Sequence, residues 1–122
     1  VRQNPVTAYT IYGIRNCDTM KKAQTWLAEH GIGVTFHDYK REGVTAEHLE
    51  RWIAAKGWEA VLNRAGTTFR KLPEADRADI DAPKAAALML ANPSMIKRPV
   101  LEGNGHLILG FRPELYSALT GG

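Results

Sequence analysis

The chain has little sulfur to work with: Cys17 is its single cysteine. No internal disulfide can form, so packing alone must hold the fold. A reducing, cytoplasmic setting is expected in preference to a secreted, disulfide-stapled one. No apolar run approaches the roughly 20 residues that cross a bilayer, and no signal-peptide-like segment opens the sequence, so no membrane partner is expected. Charge of one sign is nowhere concentrated. The 16 Lys and Arg are scattered among 13 Asp and Glu for a net charge of +3, and the longest basic run is Lys21-Lys22. A nucleic-acid binder needs a basic stripe or a recognition motif, and neither is present, so no nucleic-acid partner is expected. The four histidines, His30, His37, His48 and His106, show no ligand spacing with one another or with Cys17. They read as surface or helix-face residues, and no metal is expected. There is no P-loop and no G-x-S-x-G, and "GNG" at 103–105 is turn chemistry.

What is present suits one globular domain. With 122 residues and 44% hydrophobic residues the chain can bury a core without covalent staples. The opening "VRQNPVTA" (1–8) is expected to be a mobile lead-in, leaving 9–122 as the domain, and a monomer is expected. "AYTIYGI" (8–14) is β-branched and aromatic and reads as a strand. Residues 19–30 place Met20, Ala23, Leu27 and His30 at helical spacing before Gly31, and "VTFHDY" (34–39) alternates as a second strand. Strand, helix, strand within about thirty residues predicts parallel strands joined by a right-handed crossover.

The middle of the chain is predicted helical. One helix starts from Thr45 as N-cap, buries Leu49, Trp52 and Ile53, and ends at Gly57. A short turn follows at 58–64, then a loop, "AGTTFRKL", then a helix capped near Asp81 and halted before Pro93. "RPVLEGNGHLILGF" reads as an antiparallel hairpin, and "RPELYSAL" (112–119) as a closing short helix. The predicted fold class is therefore α/β: a mixed four-stranded, thioredoxin-like sheet with a helical insertion.

Cys17 stands where the first strand gives way to the first helix, flanked by Asn16 and Asp18. Unpaired N–H groups at a helix start favour negative charge, so a thiolate there is stabilised, and Lys21 and Lys22 lie one turn on. Asp18 opposes a thiolate by like-charge repulsion. It is expected to serve as a helix cap, assisted by Thr19. The alternative is that Cys17 is an inert small residue at a tight turn. A C-x-x-C pair would need cysteine at position 20, which is Met20. Any covalent adduct on Cys17 must then be released by an external thiol, for which glutathione, or a glutaredoxin charged with it, is the expected co-substrate or partner. No tightly bound cofactor is expected. Arg64, Arg98 and Arg112 could supply bidentate anion recognition, although spacing alone does not select them from the other arginines.

Five segments carry a family pattern: "YGIRNCDTMKKAQTWL", "FHDYKREG", "LNRAGTTFRKL", "IKRPVLE" and "GFRPELY". Together, from Tyr9 to Leu119, they resemble the ArsC/Spx family related to arsenate reductases, and its YffB-like branch in particular. The resemblance implies that Cys17 is a nucleophile and that Arg64, Arg98 and Arg112 occupy oxyanion-holding positions. It also implies that Pro99 is a cis-proline facing the cysteine. Arsenate reductases of the family carry an "NPxC"-type loop where this chain has "IRNCDT", and Spx regulators carry the C-x-x-C that Met20 removes. The expectation is a glutathione-dependent thiol reductase acting on a disulfide or a small molecule. Arsenate reduction with the same residues, and a Spx-like protein-binding role without catalysis, are the alternatives.

Overall fold

In the computed structural model, residues 9–120 are described, so the lead-in expected at 1–8 lies outside the described residues. The chain divides into two compact units: a sheet unit (9–38 with 98–120) and a helical unit (39–97) inserted between its halves.

The sheet unit contains β1 (Tyr9–Gly13), α1 (Asp18–Glu29) and β2 (Val34–Asp38) from the first segment. The second segment supplies β3 (Val100–Gly103) and β4 (His106–Leu109). The strand order is β2-β1-β3-β4. β1 pairs parallel with β2 and antiparallel with β3, and β3 pairs antiparallel with β4. This is the mixed four-stranded, thioredoxin-like sheet that the element order predicts. Alternation along β1 sends Tyr9, Ile11 and Gly13 to one face. On that face Tyr9 and Ile11 join Met20, Ala23 and Leu27 of α1 with Leu101, Ile108 and Tyr116 in one buried cluster. On the opposite face Tyr12 lies beside its cross-strand partner His37 (ring centroids 4.9 Å apart) and donates to Glu102 at 3.2 Å.

Gly13 has a specific packing role. A Cβ there would overlap Met20 Sδ and lie 2.7 Å from Met20 Cε, so the missing side chain is what lets Met20 seat against the end of β1. Met20 is 2% exposed.

The helical unit begins directly after β2. A single helical turn, α2 (Tyr39–Glu42), ends what the sequence predicts as strand through Tyr39. α3 (Ala46–Lys56) is capped by Thr45 as predicted, with a reciprocal bond from the Thr45 N–H to His48 Nδ1 at 3.1 Å. Leu49 and Trp52 are buried as expected, whereas Ile53 is only half-buried. After α4 (Trp58–Val61) the loop predicted at 65–72 contains a further single turn, α5 (Thr67–Arg70), and another, α6 (Glu74–Arg77), follows it. α7 (Ala82–Ala91) is capped by Asp81, which accepts the Lys84 N–H at 2.9 Å. The backbone then runs antiparallel to residues 61–63 through Asn63 N–H to Met95 O and Lys97 N–H to Val61 O, both 2.8 Å, which fixes the segment leading to Arg98. In the sheet unit the chain closes with α8 (Pro113–Tyr116), preceded by Arg112 as N-cap, and a 3₁₀ turn (Ser117–Thr120). Among the described residues no helix is long and apolar enough to cross a membrane.

Tyr116 is fully buried, edge-on to Trp26 and to Phe111. Among the described residues its hydroxyl meets no hydrogen-bond partner, and burial raises its pKa. Such an oxygen costs free energy that a phenylalanine would not. Tyr116→Phe is expected to raise stability by about 1 kcal/mol in urea denaturation. Gly13→Ala, by forcing Met20 out of its seat, is expected to cost about 1–3 kcal/mol in the same measurement. A Gly13→Ala variant as stable as the parent would show that Met20 has other room.

Candidate active site

β1 stops at Gly13 because the next residues turn. Asn16 adopts φ 60°, the left-handed region that asparagine tolerates better than most residues. Cys17 then returns to extended backbone (φ −109°, ψ 124°) and is itself the N-cap of α1. This differs from the expectation that Asp18 caps the helix. Asp18 is the first helical residue, and it is exposed. An acid in the first turn is favourable to the helix dipole without capping it. Thr19 contributes through its backbone N–H rather than its hydroxyl.

Burial pushes the Cys17 thiol pKa up, but opposing influences prevail and the net shift is downward. In order, these are the Met20 backbone N–H, a hydrogen bond from the Arg98 side chain, the Thr19 backbone N–H, and the positive charge of Arg98. The sulfur closes no side-chain capping bond of the oxygen type. The N–H groups of Thr19 and Met20 therefore act on it as aligned dipoles at the helix start. Cys17 is half-buried and packs at the margin of the core cluster.

Arg98 is half-buried and immediately precedes β3, and the Arg98–Pro99 peptide bond is cis, the isomer that the resemblance implies. Pro99 is buried, and its carbonyl accepts the Gly110 N–H at 2.8 Å. The structure thus brings Arg98 to Cys17. Arg112, at the N-cap of α8, is exposed and directs Nε at Glu114 Oε2, 3.2 Å away. Glu114's own backbone N–H, and then Arg112, hold its carboxyl below the usual carboxylate range. Arg64 is exposed in the helical unit, its guanidinium 5.2 Å from the centroid of the Trp58 ring.

The β1–α1 loop also borders a cleft of about 290 Å³ that spacing did not predict. Its lining combines apolar Ile14, Met20 and Phe36 with polar Arg15, Asn16, Lys21 and Gln24. Arg15 Nε lies 3.6 Å from Asp38 Oδ2, with the Arg15 side chain 64% exposed and that of Asp38 only 8%. Among the described residues no group of three or more His, Cys, Asp and Glu converges to hold a metal ion.

The model of the ArsC family matches residues 12–119. Among solved structures, a protein described as YFFB is 63% identical with a TM-score of 0.88, covering 90% of this chain and 96% of its own. An arsenate reductase (ArsC) related protein from Brucella melitensis is 59% identical with a TM-score of 0.74, covering 95% and 97%. An uncharacterized protein from Haemophilus influenzae is 38% identical over 109 residues, 89% of this chain and 96% of its own. The global transcriptional regulator Spx of Staphylococcus aureus is 24% identical over 110 residues, 86% and 81% of the two chains.

The surroundings of Cys17 set a pH signature. The thiolate is the alkylating form, so the rate of modification by iodoacetamide rises with pH through the thiol pKa. Because that pKa is lowered, the midpoint is expected below that of an ordinary cysteine. Arg98→Ala removes both a hydrogen bond and a positive charge from the thiolate, so the midpoint is expected to move up. An unmoved midpoint in that variant would mean that Arg98 does not act on the sulfur.

Proposed function

The chain belongs to the ArsC family, and from that premise we propose that it is a thiol-dependent oxidoreductase with Cys17 as nucleophile and glutathione as the resolving thiol. The observation that carries this reading is the single cysteine placed as N-cap of α1, with backbone N–H groups and the Arg98 side chain lowering its pKa. Such a group is poised to attack and equally poised to leave.

The reaction is two successive exchanges. The Cys17 thiolate attacks one sulfur of a disulfide R–S–S–R′, forming Cys17–S–S–R and expelling R′–S⁻, which takes a proton from water. The glutathione thiolate then attacks the R sulfur, releasing the Cys17 thiolate and leaving a glutathione–R mixed disulfide. Glutathione is oxidised, the original disulfide is reduced, and the protein returns unchanged. A second glutathione can complete the reduction in solution. Arg98 stabilises the sulfur anion at each stage in which Cys17 carries charge. Arg112 is assigned a substrate carboxylate, since its exposed pairing with Glu114 is screened by solvent and readily exchanged. Arg64 is assigned the same kind of task. Reduced glutathione in the cytoplasm supplies the electrons.

A second reading takes arsenate as the electrophile. It is favoured by the description of the 59% identical Brucella melitensis protein as arsenate-reductase related. Both readings need the thiol, whereas a regulator that works through its surface, the role that the Spx description names, does not.

The deciding experiment couples glutathione oxidation to NADPH consumption through glutathione reductase, with hydroxyethyl disulfide or arsenate as substrate. Turnover of the disulfide is expected to exceed that of arsenate and to vanish in Cys17→Ser. Arg98→Ala is expected to lower kcat/KM by about 10²-fold, as for loss of one preorganised charge-stabilising donor. Turnover that survives Cys17→Ser would sink the enzyme reading.

A further inference from the structure

We propose that the Arg15–Asp38 ion pair is a positioning device for the thiol: it ties the β1–α1 loop to the end of β2 and so holds Cys17 at the start of α1. The inference rests on the reading of Cys17 as nucleophile and adds two residues that act on it through the loop.

Residues 14–17 carry the chain from β1 to α1, and both ends of that loop are fixed. Gly13 sits in the ladder opposite Asp38, and the Cys17 carbonyl accepts the Lys21 N–H at 3.0 Å as the first bond of the helix. Between these points, among the described residues, Arg15 and Asn16 make no backbone hydrogen bond. Asn16 is also in the left-handed region at φ 60°. A segment with so few bonds of its own opens locally unless something else holds it. Its side-chain tie to the sheet is Arg15, whose Nε lies 3.6 Å from Asp38 Oδ2.

The acidic end of the tie is rigid. Asp38 is the last residue of β2, and among the described residues it is the only buried charged one, at 6% exposure. A carboxylate is almost never buried so deeply without a counter-charge. The Arg15 side chain is 64% exposed, so without the acid it would swing in water. The fixed carboxylate therefore draws in the mobile guanidinium, and with it the residue two before Cys17. The Arg112–Glu114 pair, 65% exposed at both ends, has no such anchor. Neither Arg15 nor Asp38 figures among the influences that set the Cys17 pKa. Their opposite charges largely cancel at a distance, so what the pair supplies to the sulfur is position.

Charge and position predict different signs. If the pair acted on the thiolate by charge, loss of Arg15 would raise the alkylation midpoint of Cys17 and loss of Asp38 would lower it. Acting by position, Arg15→Ala and Asp38→Asn are both expected to raise the iodoacetamide midpoint by about half a pH unit, about a threefold fall in rate at a fixed pH below it. The double variant is expected to move no further than either single one, because both break the same tie. Arg15→Lys keeps a cation within reach of Asp38 and should recover most of the parent midpoint. Opposite signs in the single variants, an additive double variant, no recovery in Arg15→Lys, or an unmoved midpoint in Arg15→Ala would overturn the proposal. Arg15 is exposed, so its variants decide the matter even if Asp38→Asn does not fold. Glutathione-coupled turnover is measured in parallel. If it is lost in Cys17→Ser while the Arg15 and Asp38 variants keep the parent midpoint, the positioning role fails and the nucleophile reading stands. If both midpoints rise while turnover survives Cys17→Ser, the positioning role stands and the nucleophile reading fails.

Discussion

Gly13 and Met20 compete for one space, and the way that competition is settled determines the geometry of the thiol. Because position 13 has no side chain, Met20 packs directly against the end of β1 at 2% exposure. Met20 is also the third residue of α1, so seating its side chain fixes where the first turn of the helix lies over the sheet. Its backbone N–H is the largest of the influences that lower the Cys17 pKa. Core packing and thiol chemistry therefore meet in a single residue, with its side chain in the core and its N–H at the sulfur. Asn16 completes the arrangement by taking the left-handed conformation that turns the strand into the helix across the four residues 14–17.

The electrostatics at Cys17 are a contest between burial and organised dipoles. Desolvation alone would make the sulfur a poor nucleophile. Two backbone N–H groups and one guanidinium reverse the sign. Arg98 suits this position better than a lysine would, because a planar, permanently charged group can bond the sulfur and still offer donors elsewhere. Neither Lys21 nor Lys22 figures among the causes of the shift, although their place one turn into the helix suggests a role. Both side chains are exposed, and charge in water is strongly attenuated over such separations.

The sheet was legible in the sequence because each strand carries its own signal. β-branched and aromatic residues mark β1, alternation marks β2, and the apolar runs on either side of the Asn104-Gly105 turn mark the hairpin. Thr45, Asp81 and Gly57 also announced helix ends correctly, because capping is local. The single-turn helices at Tyr39–Glu42, Thr67–Arg70 and Glu74–Arg77 were not legible. One turn makes too few internal bonds to leave a periodic signature, so surrounding contacts decide it. His48 was read as a face residue because capping boxes usually place Glu or Gln at its position, and an imidazole nitrogen can accept the same bond. Asp18 looked like the cap because aspartate is a good one, yet the helix begins at Asp18 itself and leaves Cys17 in the position. Arg98 could be singled out only through family resemblance, since eighty residues separate it from Cys17 and sheet pairing alone brings them together. The cleft had no sequence signature at all, because it is assembled from a loop, one side of a helix and an edge strand.

Methionine at position 20 ties the mechanism to the fold. In a C-x-x-C protein this position holds the second thiol, which resolves the adduct from within. Here it holds a side chain committed to the core, so no small rearrangement could bring a resolving group to Cys17 from the same helix. On the proposed reading the electrons come from another molecule. Met20 also lines the cleft beside the β1–α1 loop, with Ile14 and Phe36. A cysteine at position 20 would add a second thiol but lose the packing against Gly13, so it could not simply turn this chain into one that resolves its adduct from within.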